Sequence, residues 1–391
     1  MMYGFLRSHS WQIVVTNQQL NPSRYDQIAG ALHGLMSSYG YERLETPILK
    51  PAGMCLTRAG DQIITRLFTF ERGGKQMALR PEYTSPALSL YCEQNCPVPA
   101  RWQFGGLVFE ESPAAPQVQH YSIGAEVFGL PNAFADGEIL QLALKGLAQA
   151  GIDDAAAHIG HVALLRYFVR RHMTDARLQR FLLNRAHLLR TPEGEAHVRQ
   201  QMDRLVPATA AGKLPSGGGG PSPAIMDALL QSLEQSQLMG GRTRDDIQRR
   251  LQRKLTRSEV RPQIEATLVL LRQIVTIEGT SEIVLPQLKE LIGGDPDGLA
   301  LLDEWTAVLD AATSMGVDPA RLVLSPGLSR NWDYYSGIVF ELRGGGKHLG
   351  GGGRYDELAR LLGSPEPVAA VGFAYYVDEI LGLLPAEAPA R

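Results

Sequence analysis

Apolar positions recur at helical spacing through residues 22–40, PSRYDQIAGALHGLMSSYG, with Pro22 near the start and Gly40 suited to the end. A helix is predicted there. The pattern then turns strand-like in YERLETPILKP and LFTFERGGKQMALRPE, and Arg72-Gly73-Gly74-Lys75 inside the second run reads as a hairpin turn. A helix follows from Thr84 to Glu93. Two more strands are predicted in RWQFGGLVFEES and HYSIGAEVFGL, joined by SPAAPQVQ; then come a helix over 134–150 and a strand leading into a helix in HIGHVALLRYFVRR.

From about residue 176 to 311 the chain reads as charged helix, broken at 214–223 by LPSGGGGPSP, a linker composition. Strand pattern returns in RLVLSPGL and WDYYSGIVFELRGG. A glycine-rich turn, a helix in RYDELARLLG and the apolar strand VAAVGFAYY complete the pattern. The predicted class is α+β: an antiparallel sheet flanked by helices, built from residues 1–175 and 312–391, with a mainly helical insertion at 176–311.

Composition narrows this picture only a little. The 391 residues allow two or three domains, and a net charge of −3 gives no global attraction to nucleic acid or membrane. Cys55, Cys92 and Cys96 are too few and too irregular for a disulfide framework and fit a reducing compartment. His120 is the nearest candidate to join Cys92 and Cys96 on a metal, without a CxxC or HxxxH pair beside it, so no metal is expected. No apolar run reaches the ~18 residues of a membrane span and no secretory signal is evident, so a soluble cytoplasmic protein is expected.

Glycine runs at 217–220, 344–346 and 350–353 do not fit a phosphate loop. The last two read as tight turns and close backbone packing before a helix at Arg354, and as a stretch free to rearrange. Eight Arg/Lys lie between Arg242 and Arg261, with Arg249, Arg253 and Arg257 on one helical face. That is the pattern of a solvated amphipathic helix, with RNA or an acidic partner as the alternative. His158 and His161 read as structural.

One charge pattern carries more. There is no Lys or Arg between Arg101 and Lys145, and none between Arg360 and Arg391. Both gaps fall within segments that resemble the class II aminoacyl-tRNA synthetase core, in its histidyl branch. YERLETPILKPAGM resembles the first class II motif, ALRPEYTSP the opening of the amino-acid pocket, GGLVFEESPAAPQVQHYSIGAEVFG the second motif, GLSRNWDYYSGIVFE the histidine-recognition segment, and GGGGRYDELARLLGSPEPVAAVGFAYYVDEI the third motif. The resemblance spans about residues 20–175 and 312–384.

The departures matter as much as the matches. Glu110 stands where the family carries the second motif's arginine, Glu111 follows it, and Ser112 to Tyr121 is uncharged. Glu379 stands where the third motif's ATP-binding arginine falls. A site that transfers phosphoryl or adenylyl groups must neutralise phosphate charge, and anions in those places would repel a triphosphate. The chain also stops where a synthetase's anticodon-binding domain would begin.

The amino-acid pocket is better kept. By the resemblance, Glu82 and Thr84 hold the α-ammonium, Glu126 meets the imidazole, Arg330 contacts the substrate carboxylate, and Tyr334 and Tyr335 flank the ring. Ser122 replaces a glutamine that usually helps to bind the ligand. A zwitterion with a polar ring needs carboxylates at its nitrogen ends and a guanidinium at the other. A kept pocket with lost ATP charges is similar to the regulatory subunits of ATP phosphoribosyltransferase, a non-catalytic branch of the same family. That resemblance implies a homodimer within a larger hetero-oligomer, a short catalytic phosphoribosyltransferase subunit as partner, L-histidine as ligand and no cofactor, membrane or tRNA. The alternatives are a histidyl-tRNA synthetase-like enzyme and an RNA-binding pseudo-synthetase.

Overall fold

The computed structural model describes residues 22–53, 67–94, 96–110, 118–206, 244–328 and 334–385, with backbone alone for 22–23 and 244–259. Arg330, Glu111, Cys55, the 214–223 break and the side chains of Arg249, Arg253 and Arg257 lie outside that description. The chain divides into two compact units: Met1–Tyr167 with Ile277–Arg391, and Phe168–Thr276.

The first unit opens with helix α1 (Pro22–Ser38), followed by strands β1 (Glu42–Arg43), β2 (Leu49–Pro51), β3 (Thr69–Arg72) and β4 (Lys75–Leu79). The β3–β4 hairpin forms at the predicted turn. Gly73 and Gly74 take φ of 59° and 73°, the left-handed pair that a two-residue hairpin needs. Strands β2, β4 and β3 make a small sheet of their own.

Next come α2 (Thr84–Glu93), β5 (Ala100–Phe109), β6 (Gln119–Phe128) and α3 (Ala133–Gln149). The side chain of Asn132 caps α3 by accepting the Ala135 N–H at 3.3 Å. Strand β7 (Ala156–His161) leads into α4 (Val162–His172), where the boundary between the units falls.

The second unit, described by itself, holds α5 (Ala176–Leu183), α6 (Pro192–Leu205) and the long α7 (Arg244–Thr276). Leu178, Leu182, Leu189, Val198, Met202, Ile264 and Leu268 are buried. Arg199 pairs with Glu195 on its own helix and with Glu265 on α7 at 2.7 Å.

The chain returns to the first unit with α8 (Ser281–Ile292), α9 (Pro296–Ser314), β8 (Leu322–Leu324), β9 (Ile338–Gly344), β10 (Lys347–Arg354), α10 (Leu358–Leu361), β11 (Ala370–Tyr376) and α11 (Val377–Leu381). Helices α8 and α9, expected within the insertion, belong with the sheet. Gly137 of α3 leaves room for the backbone of α9 at Ala311 and Ala312. A helical period shows that a helix buries one face, not which unit receives it.

The main sheet has eight strands in the order β1-β5-β6-β11-β10-β9-β7-β8, antiparallel except at the β1–β5 and β7–β8 edges. One correction concerns its centre. Gly350–Gly353, expected as tight turns and close backbone packing before a helix at Arg354, packs closely but as a strand interior paired with both β9 and β11. A Cβ at 352 would strike the backbone of Gly372, so these glycines permit close strand approach and are not a hinge. The turn itself is Gly345-Gly346, with φ of 55° and 73°, and the following helix starts only at Leu358.

Candidate functional site

Six residues stand opposite one another across the middle of the sheet: Trp102, Glu126, Gly372, Gly353, Val339 and Gly160. The three glycines open this face. A Cβ at 372 would run into the Glu126 carboxyl. One at 353 would lie 2.9 Å from the Tyr335 ring, and one at 160 would lie 2.9 Å from the Leu328 carbonyl. Side chains from elsewhere can therefore lie directly on the strands.

Glu126 is the polar centre of this face and is 1% exposed. Thr84, the first residue of α2, donates its hydroxyl to Oε1 at 2.7 Å, and Tyr355 donates its hydroxyl to Oε2. Burial pushes the Glu126 carboxyl from an ordinary 4.5 up to about 8; the two hydroxyls pull it down, and nearby Glu82 adds to the rise. Glu82 accepts the backbone N–H of Ser85 at 2.9 Å, which fixes its carboxylate at the start of α2.

The tyrosines close one side. The rings of Tyr334 and Tyr335 lie 4.9 Å apart and that of Tyr334 lies 5.7 Å from Tyr355, all three buried. Tyr355 is set by its neighbour. Arg354 is 6% exposed and donates to Asp136 at 2.6 and 3.0 Å, to Asp356 at 3.1 Å, and to the carbonyls of Leu130 and Asn132. Burial works against its charge, but Asp136 and Asp356 outweigh burial and hold the guanidinium above its usual range. The Arg354 carbonyl accepts the Ser336 N–H at 2.8 Å, tying the tyrosine-pair loop to the same strand end.

Of the predicted pocket residues, Glu82, Thr84, Glu126, Tyr334 and Tyr335 converge here, and Arg330 lies outside the described residues. Sequence reading missed Tyr355 and Arg354 because RYDEL reads as the opening of a helix. The arginine's partner, Asp136, is 218 residues away.

Glu379, Asp378 and Glu110 also have a definite setting. The Glu379 carboxylate is met by Lys347 Nζ at 2.9 Å, a cation supplied by β10 and not by the third-motif segment. Its neighbour Asp378 accepts the Tyr121 N–H at 2.9 Å and lies 4.0 Å from His120. Glu110 donates its backbone N–H to Val118, closing the end of β5 on β6. Among the described residues, no helix is long and apolar enough to cross a membrane.

The antiparallel sheet flanked by helices that carries this face is that of a class II synthetase-like core, as in the solved histidyl-tRNA synthetase-like structures it resembles. The family model for histidyl-tRNA synthetase matches residues 19–206 and 222–380, and the chain belongs to that family. Both branches occur among its relatives. It is 28% identical over 361 residues to a histidine–tRNA ligase from Methanocaldococcus jannaschii, covering 90% of this chain and 70% of the ligase. It is 30% identical over 379 residues to an ATP phosphoribosyltransferase regulatory subunit from Allorhizobium ampelinum, covering 90% of this chain and 96% of that subunit. A structure described as an ATP phosphoribosyltransferase regulatory subunit/histidyl-tRNA synthetase from Bacillus halodurans C superposes with a TM-score of 0.67. It is 20% identical, over 94% of this chain and 80% of that one, and the likeness is one of fold.

Proposed function

We propose that this chain is a non-catalytic regulatory subunit of ATP phosphoribosyltransferase, which binds histidine on the Glu126 face and makes a short catalytic subunit responsive to it. The observation that carries this reading is a contrast within one core. The face carries a buried carboxyl held by Thr84 and Tyr355, while Glu379, which by the sequence resemblance stands at the third motif's arginine position, is paired with Lys347. A carboxylate there would oppose a triphosphate, and neutralising it uses a cation that a nucleotide would otherwise need.

In this reading the ligand's ring meets Glu126, its ammonium meets Glu82, and its carboxylate meets Arg330. The test is calorimetry with L-histidine beside ATP–pyrophosphate exchange. Histidine binding with exchange at background is expected, and robust histidine-dependent exchange would overturn the reading. That second outcome belongs to a synthetase-like enzyme, which the identity with the Methanocaldococcus jannaschii ligase supports. Salt-sensitive tRNA binding would instead point to an RNA-binding pseudo-synthetase.

A further inference from the structure

Glu126 is a buried carboxyl that faces no cation among the described residues. Its two oxygens meet hydroxyls, from Thr84 on α2 and from Tyr355 after β10. β5 contributes Trp102 and β11 contributes Gly372, neither of them ionisable. Behind Tyr355 stand the rings of Tyr334 and Tyr335, which supply no cation. The charged group that does act on Glu126 is Glu82, of the same sign. The strongest nearby cation, Arg354, is engaged by Asp136, Asp356 and two carbonyls. A lone anion in such a place is costly, and a neutral carboxylic acid is not. Both hydroxyl neighbours can accept as well as donate, so the acid form keeps hydrogen-bond partners.

We propose that the empty pocket keeps a proton on Glu126 and shares it with the ring of the incoming ligand, so that binding near neutral pH draws no proton from solvent. This rests on the reading of the face as a histidine site. The neutral ring enters, its unprotonated nitrogen takes the proton from the Glu126 oxygen, and the products are an imidazolium and a carboxylate. The O–H bond breaks as the N–H bond forms, and no third partner is needed. The buried carboxyl is then charged only while a cation lies against it. The rise of Glu126 to about 8 agrees with this geometry.

The full chain is titrated with L-histidine by calorimetry at pH 7 in PIPES and in Tris, whose ionisation enthalpies differ widely. A free imidazole near pKa ~6.5 is about three-quarters neutral at that pH. An ordinary ionised carboxylate would therefore take up about three-quarters of a proton per ligand as it captures imidazolium. A pocket that brings its own proton takes up none, to within about 0.2. The affinity profile gives a second readout. It should be level between about pH 6.5 and 8 and fall on either side. Glu126→Gln should bind more weakly and lose the fall above pH 8. Uptake of most of a proton at pH 7, or affinity that declines steadily from pH 6.5 upward, overturns the proposal and leaves the histidine reading intact. Absence of histidine binding across the pH range overturns both.

Discussion

Tyr355 and Glu126 are 229 residues apart in the chain, and the hydroxyl of the first donates to Oε2 of the second. The contact spans three strands of the sheet, because β10 and β6 flank β11, which puts only Gly372 between them. It is possible because that glycine has no side chain to fill the gap. The site is therefore made by sheet order, with each contributor arriving from a different part of the sequence.

The first prediction follows from these partners. Glu126→Ala and Arg330→Ala should each weaken histidine binding by at least ~1.5 kcal/mol, about tenfold, because each removes a charge-assisted partner. Tyr355→Phe should cost about 1 kcal/mol, the worth of one hydrogen bond. Calorimetric titration of the three variants checks this. Parent-like affinity in both charge variants would move the pocket elsewhere.

Gly372→Ala tests the open face itself. The added methyl would occupy the space of the Glu126 carboxyl and press on the Ala125 carbonyl. The expected result is loss of histidine binding with about 1–3 kcal/mol of destabilisation, typical of overpacking. Chemical denaturation and calorimetry measured together separate the two effects. Unchanged binding would mean that the face is more adaptable than its close strand spacing implies.

A third prediction concerns stability against pH. Glu126 titrates at about 8 in the folded chain against an ordinary 4.5. Below 4.5 both folded and unfolded forms hold the proton and the residue costs nothing. Between 4.5 and 8 the unfolded chain loses its proton while the folded chain keeps it, so stability falls as pH rises; above 8 the full cost is present. Glu126→Gln cannot ionise. It should therefore be more stable than the parent at pH 8–9, by on the order of a few kcal/mol, with the gap closing toward pH 5. Paired melting curves of parent and variant cancel the other titrating groups. A gap independent of pH would mean that Glu126 stays ordinary in the fold.

Much of this was legible in the sequence, for identifiable reasons. The β3–β4 hairpin announced itself through Gly73-Gly74, and α2 began at Thr84 as its pattern required. Glu82, Thr84 and Glu126 sit in segments whose family resemblance is dense, and they converge. Gly350–Gly353 gave no alternation of apolar and polar side chains, so nothing marked it as the centre of a sheet. Its role depends on the backbones of Gly372 and Ala374 in β11, which only the fold brings near. The Lys347–Glu379 pair was hidden in the same way. No Lys or Arg follows Arg360 before Arg391, yet the Glu379 carboxylate finds a cation 32 residues upstream on β10.

The small sheet carries the fourth prediction. Pro51, Met77 and Phe70 lie in one cross-strand row, with Leu49 and Leu79 on the same face. Leu49 is 48% exposed and Phe70 is 40% exposed in the single chain. An apolar sheet face left this open needs a cover, and a second copy is the commonest one. We expect a homodimer through the segment around residues 38–54 and this face. Phe70→Asp with Leu49→Arg should give monomers by sedimentation at micromolar concentration. A parent that is itself monomeric would contradict the expectation.

The last prediction concerns coupling between the pocket and the partner subunit. If histidine bound at Glu126 regulates a phosphoribosyltransferase, linkage requires reciprocity. The catalytic subunit must change histidine affinity by the factor by which histidine changes its own binding, and a typical coupling is ~1–3 kcal/mol. The strand glycines at 350–353 are poor candidates for the moving part, being paired on both sides. The loop of Tyr334 and Tyr335 is a better one. It is tied to the strand end through Ser336 and the Arg354 carbonyl, so a ligand that displaces a tyrosine also pulls on Arg354 and, through Asp136, on α3. Phosphoribosyltransferase activity of the mixed subunits should be measured across histidine concentrations with parent, Arg330→Ala and Tyr355→Phe chains. Inhibition in the parent should shift to higher histidine in both variants, further in Arg330→Ala than in Tyr355→Phe, in the order of their expected losses of affinity. Identical curves for all three would place the histidine response on the catalytic subunit itself.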